Sequence, residues 1–205
     1  MADKYAVITL AKMEASNRVD VMSKLPDLAD VSRDAGSTRV LFGTLMTGLN
    51  TGSAIMIQFF EELNKLESVY SAFSDSKSYQ DLMTGSLSIT RRNITTLDLS
   101  YSFENAPSLK YTVMSRAVGC GSQKDITNSM DEAVHLFKDN GAKTLRFGRI
   151  MTGENTGDYL LGVSYSSMAD IEKTYDAIAE SEDAKKVYSL LGINQRGIIQ
   201  VAGVK

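Results

Sequence analysis

Apolar residues recur along this chain with two different periods, and the order of those periods is itself repeated. From Tyr5 to Met13 they alternate with polar or small residues, as on a strand with one buried face, and Tyr111 to Val118 does the same. Val19 to Val31 and Ile126 to Phe137 shift to helical spacing. In the second stretch Ile126, Met130, Ala133, Val134 and Phe137 fall on one face. Gly36 and Gly141 follow Asp-Ala and Asp-Asn, where a left-handed residue without a Cβ would end each helix. Two β-rich runs come next in each half, Arg39 to Met46 with Ser53 to Phe60, and Thr144 to Met151 with Asp158 to Tyr165. Each pair reads as a hairpin, with Asn50, Thr51 and Gly52 supplying the first turn. A second helical region spans Glu61 to Tyr70, breaks at Ser74-Asp75-Ser76 and resumes over Tyr79 to Met83. Asp170 to Ile178 and Ala184 to Leu191 parallel it. Closing strands are predicted over Leu87 to Leu97 and Gly192 to Val201, and Glu104-Asn105-Ala106-Pro107-Ser108 breaks both periods and reads as a linker.

The repetition extends to letters. Phe42-Gly43-Thr44-Leu45-Met46-Thr47-Gly48-Leu49-Asn50-Thr51-Gly52 returns as Phe147-Gly148-Arg149-Ile150-Met151-Thr152-Gly153-Glu154-Asn155-Thr156-Gly157, an offset of 105. The same offset aligns Gly36 with Gly141, Tyr70 with Tyr175 and Arg91 with Arg196, while Lys4-Tyr5 matches Lys110-Tyr111 at 106. The chain therefore divides into two β-α-β-β-α-β repeats, residues 1–104 and 105–205, an internal duplication. That order resembles the ferredoxin-like units of the dimeric α/β-barrel superfamily, which includes small monooxygenases and stress-responsive barrels. The resemblance implies an α+β fold in which two antiparallel four-stranded sheets pack face to face as an eight-stranded barrel, with helices outside and a central cavity. It implies no active site. The physical reason is independent of the family: a sheet covered by helices on one face leaves the other apolar and wet unless a partner covers it.

Composition narrows the function classes. Hydrophobic residues make up 43% and charged residues 23% of 205, the balance of a globular domain that needs no disulfide or metal to fold. A net charge of -3 argues against binding a nucleic-acid backbone. The single cysteine suits a reducing compartment, so the cytoplasm is expected. The N-terminal residues run straight into a strand with no targeting segment, and no apolar run is long enough to span a bilayer. No cofactor is expected. A small-molecule ligand and further copies of the chain stay open as partners.

Candidate chemistry is sparse. The Met-Thr-Gly-x-Asn-Thr-Gly segment lacks the Lys-Ser/Thr ending of a phosphate loop and joins two strands, so turn chemistry accounts for it better. His135, the only histidine, reads as a solvated partner of Asp131, and Cys120 as a buried or half-buried inert thiol. Arg91 and Arg196 read as a salt-bridging charge between the halves. The asymmetric positions are more telling, because Leu10 aligns with Arg116, Thr44 with Arg149 and Ala54 with Tyr159. An arginine facing a barrel interior is costly unless paired or used. Arg116, Arg149, Tyr159, Met114 and Met151 are thus the candidate ligand-binding residues, for a small apolar or anionic molecule. The alternatives are a non-catalytic assembly protein with a filled barrel and, from the resemblance, a cofactor-independent monooxygenase-like enzyme. An enclosed volume of about 300 Å³ or more would favour a ligand.

Overall fold

A computed structural model describes residues 3–85, 87–105 and 108–205. The first half contains β1 (Tyr5–Met13), α1 (Arg18–Asp34), β2 (Arg39–Leu45), β3 (Ala54–Phe60), α2 (Lys65–Asp75), α3 (Lys77–Met83), β4 (Leu87–Thr96) and a short β5 (Leu99–Ser102). The second contains β6 (Tyr111–Gly119), α4 (Gln123–Glu132), α5 (Val134–Lys138), β7 (Ala142–Thr152), β8 (Tyr159–Tyr165), α6 (Met168–Glu180), α7 (Glu182–Leu190) and β9 (Leu191–Val204). Two differences from the pattern stand out. The helix predicted over Ile126–Phe137 is parted at Ala133, and β5 was not anticipated. The predicted linker centres on Ala106 and Pro107, which lie outside the described residues, as do Met1 and Ala2 at the N-terminal end.

The helices close as their sequences require. Ser37 N–H returns to the Ser32 carbonyl and Gly36 N–H to that of Arg33, with Gly36 at φ +125°, so the end of α1 is capped through a left-handed glycine. Gly141, at φ +99°, occupies the matching place.

The strands are all antiparallel to their neighbours and follow the order β4-β1-β3-β2-β9-β6-β8-β7, with β7 returning to β4, so the sheet closes on itself. The two four-stranded sheets face each other, and they also join edge to edge at two seams. One is β2 on β9, from Leu41 opposite Val204 to Leu45 opposite Ile199. The other is β7 on β4, continued by β5 from Leu99 opposite Phe147 to Ser102 opposite Thr144. Three apolar cores result. Val7, Val21, Leu25 and Phe60 belong to the core under the first half's helices; Val113, Ile126, Leu145 and Tyr165 belong to that of the second. Ala6, Leu10, Leu41, Ile57, Phe59 and Ile199 fill the inside of the ring.

The repeated glycine-rich segment makes the seams possible. A Cβ on Gly43 would lie 2.0 Å from the Gln200 carbonyl oxygen, and one on Gly148 would lie 1.7 Å from that of Thr96. Each glycine presses against backbone of the other half, which cannot swing away as a side chain can. The hairpin tips then fold over the opposite closing strand. Gly48 (φ +90°) would place a Cβ 2.7 Å from the Arg196 carbonyl, and Gly153 (φ +97°) one 2.6 Å from that of Arg92. Thr47 Oγ1 accepts from Ile198 N–H at 3.0 Å, and Asn93 Nδ2 donates to the Glu154 carbonyl at 2.8 Å. Within each tip Thr51 and Thr156 hydroxyls donate to the Gly48 and Gly153 carbonyls.

Those contacts also correct one alignment. Arg196 donates to Ser115 Oγ at 3.0 Å and lies 4.5 Å over the Tyr175 ring; Arg92, not Arg91, donates to Thr9 Oγ1 at 3.0 Å and lies 5.0 Å over the matching Tyr70. The closing strands thus match at an offset of 104, and each carries a bulge at the equivalent place, Thr90 opposite Leu10/Ala11 and Asn194 opposite Arg116/Ala117. Arg91 does meet the other half, 2.7 Å from a Glu154 carboxylate oxygen, but Arg196 has a tyrosine face instead of an acid.

Gly148→Ala should lower stability by on the order of 3 kcal/mol, because overpacking here strikes backbone. Gly162→Ala, where an added Cβ meets nothing within 4 Å, should change it by less than about 0.5 kcal/mol. Urea denaturation midpoints of the two variants test the seam: equal midpoints would contradict it.

Candidate functional site

Register decides which side chains enter the ring. Met114 on β6 stands opposite Gly162 and Gly197, and Arg116 opposite Leu160 and Gln195; both side chains point inward. Gly148 and Ile150 share that inward face on β7, so Arg149 and Met151 between and beyond them point out. Arg149 is exposed and donates from Nε to the Gly157 carbonyl at 3.1 Å. Tyr159 also faces the helices, stacked on Phe147 at 5.4 Å, and burial raises its pKa. The structure therefore brings Met114 and Arg116 together and sets Arg149, Tyr159 and Met151 on the opposite side of the sheet. The expectation of one site failed there for a physical reason: a shift of one residue along a strand changes its face.

Two more expectations need correction. Cys120 is exposed, because it follows the last residue of β6 and leads into Gly121. His135 is on the surface as expected, but its Nδ1 donates to the Glu132 carbonyl and its Nε2 stands 3.8 Å from Asp183. Asp131 instead accepts from the Tyr101 hydroxyl, which raises the tyrosine's pKa.

Inside the ring, Ile8, Met114 and Leu160 form a waist between two cavities. The one toward the hairpin tips has a volume of about 80 Å³ and is lined by Arg91, Asn93, Arg116 and Gln195 among apolar side chains. Arg116 is held there by Asn194 Oδ1 at 3.0 Å and Asp158 at 3.5 Å, so its charge is matched. The other cavity has about 50 Å³. Neither reaches the volume of a drug-sized ligand site, and the interior is not filled either.

The second cavity holds the residues that sequence reasoning missed. Arg39 and Arg146 lie 4.5 and 5.9 Å from the centre of the same Phe59 ring, with the Asp3 carboxylate 3.5 Å from one and 3.9 Å from the other. Burial lowers the pKa of both guanidiniums, that of Arg146 to about 10, where the neighbouring charge of Arg39 adds to the effect and Asp3 opposes it. Arg146 is placed by β5: its Nη1 donates to the Tyr101 and Leu145 carbonyls and its Nη2 to Ser102 Oγ at 3.3 Å. Its Nε and the Thr95 hydroxyl are buried with no hydrogen-bond partner among the described residues. The signal for Arg146 was present in the sequence, since Leu41 is its match in the first half. Two guanidiniums against one carboxylate, with unpartnered donors on side chains that line a small space, can hold an anion.

Solved structures of 7–11% identity share this fold. A candidate monooxygenase (FN1347) from Fusobacterium nucleatum subsp. nucleatum ATCC 25586 is 8% identical, with 100% of this chain and 95% of that one covered and a TM-score of 0.66. A heme-binding protein from Thermus thermophilus is 7% identical over 99% and 92%, with a TM-score of 0.63. Chlorite dismutase from Candidatus Nitrospira defluvii, as its R173K mutant, is 11% identical over 97% and 92%, with a TM-score of 0.58. At such identities the likeness shows the fold alone. It is the dimeric α/β-barrel fold, here written in one chain. A search of curated proteins returns no match.

Haem is a group that one of these neighbours binds, and the residues present here do not fit it. The only histidine is half exposed on the outer surface, and the cavity between the second half's sheet and helices has about 40 Å³, against the several hundred that a ligand of that size occupies. Among the described residues no cluster of His, Cys, Asp or Glu is placed to hold a metal ion. Titrating the protein with hemin should give no saturable one-to-one Soret band, and His135→Ala should behave as the wild type. A saturable band abolished in that variant would contradict the assignment.

One family model matches the chain twice, over residues 3–97 and 109–201. The chain belongs to the family described as Domain of unknown function (DUF6854).

Proposed function

We propose that the protein binds a small molecule in the interior of the barrel, at the space around Met114. What carries this reading is unpaired buried polar atoms on residues that line the two cavities: Arg146 Nε and Thr95 Oγ1 on residues of one, Asn93 Oδ1 on a residue of the other, each without a hydrogen-bond partner among the described residues. An interior built only to join two sheets gains from apolar filling and loses roughly 1–3 kcal/mol for each buried polar group left unpaired. Met114 gives the site adaptability, since glycines flank it on both neighbouring strands and its unbranched side chain can move between the cavities. Arg116, with its charge matched by Asp158, would orient an occupant of the cavity toward the hairpin tips.

The same reading divides the chain into repeats at residues 1–104 and 105–205, supported by the two family matches, and places the protein in the cytoplasm, supported by one exposed thiol. No helix among the described residues is long and apolar enough to cross a membrane.

The test is a thermal-shift survey of small organic acids and their uncharged analogues against the wild type and Gly162→Leu. That substitution puts a branched side chain where an added Cβ meets nothing within 4 Å. At least one compound should raise the wild-type Tm in a saturable way by about 2–5 °C, and the rise should vanish in Gly162→Leu. A survey with no shift, or an equal shift in both proteins, would defeat the reading.

A further inference from the structure

Resting on that reading, we infer that the Arg39–Arg146 end of the barrel holds the carboxylate of a short monocarboxylate, whose alkyl part points toward Met114. Three observations bear on it. The first is the local charge, two guanidiniums against the single Asp3 carboxylate, on a shared Phe59 face. The second is that Asp3 holds neither guanidinium well. One of its oxygens is taken by the Thr38 hydroxyl at 2.6 Å, and the other stands 3.5 and 3.9 Å from the two arginines, beyond a good charge-assisted hydrogen bond. Arg146, with 11% of its side chain exposed, keeps Nε unpartnered, and Thr95 adds an unpartnered hydroxyl on the same cavity. A buried cation in that condition is stabilised by an anion that completes its hydrogen bonds. The third is the wall. Leu41, Ile57, Leu97, Leu109 and Leu160 line much of the rest of this cavity, beside Thr144 and the mutually hydrogen-bonded Thr112 and Ser164.

Size and polarity then select the class. A cavity of about 50 Å³ holds roughly three to five heavy atoms at 10–15 Å³ each, so propionate fills it and butyrate, with one more carbon, also needs Met114 to shift toward the other cavity. A dicarboxylate would carry its second charge to the waist of Ile8, Met114 and Leu160, where nothing pairs it, and a phosphate would leave the apolar wall uncovered. A chain of three or four carbons, the carboxyl carbon included, satisfies both ends.

Isothermal titration with sodium butyrate, 1-butanol and sodium succinate tests this. Wild-type protein should bind butyrate and bind the other two at least about tenfold more weakly. Arg146→Met and Arg39→Met should each weaken butyrate about tenfold or more, and Asp3→Asn, which removes the competing anion, should tighten it about fivefold. A gain of affinity cannot come from misfolding, so Asp3→Asn keeps the test decisive if an arginine variant is unstable. Butyrate binding that survives all three substitutions but is lost in Gly162→Leu would overturn the carboxylate assignment and leave the interior site standing. Binding indifferent to Gly162→Leu as well would overturn both. Wild-type protein that ignores butyrate overturns the assignment outright.

Discussion

The structure depends on two places where backbone of one half touches backbone of the other with no room for a side chain between. Gly43 against Gln200 and Gly148 against Thr96 let β2 meet β9 and β7 meet β4, which closes the ring. Closure removes the free edges that a pair of four-stranded sheets would otherwise expose, and it encloses the space between them. The repeated segment is therefore kept nearly letter for letter in both halves because each copy is a working part of a different seam. Its Thr and Asn residues belong to the same device, fixing tips whose Asn50 and Asn155 take left-handed φ angles of 67° and 61°.

With the seams fixed, the interior is free to differ between halves. Leu10 stands where the second half has Arg116, Leu41 where it has Arg146, and Arg39 where it has Thr144. The barrel consequently has two chemically distinct ends, one with its arginines matched by acids and one with a surplus positive charge. A symmetric structure with an asymmetric filling is what binding a molecule with unlike ends requires, whereas simple mutual burial of two sheets needs no such difference.

Element order and the two halves were legible because periodicity survives wherever one face of an element is wet, as on β1, the outer helices and the ends of β9. It fails on β3 and on β2, the strand of Thr44 with which Arg149 aligns, where every residue but Arg39 is buried, since helices cover one side and the barrel interior occupies the other. That is why Arg149 could be placed on the wrong face from its alignment alone, while Met114 and Arg116, on the more clearly alternating β6, do face the interior. The offset drifts from 106 at Leu10 and Arg116 to 104 at Arg92 and Arg196, so a single offset of 105 pairs Arg196 with Arg91, one position off its structural match.

The arginine pair at the other end was hidden for a different reason. Arg146 is oriented by the carbonyl of Tyr101 and the hydroxyl of Ser102, both on β5, a four-residue strand too short for a period to be read. β5 in turn exists only because β7 runs past the end of β4 and offers it an open edge. The seam thus creates the extra strand, the strand aims the guanidinium, and the guanidinium gives the cavity its charge. Each step depends on a contact between residues about 45 positions apart, from Tyr101 to Arg146, so the site is a consequence of closure and could be reasoned to only after the ring was known.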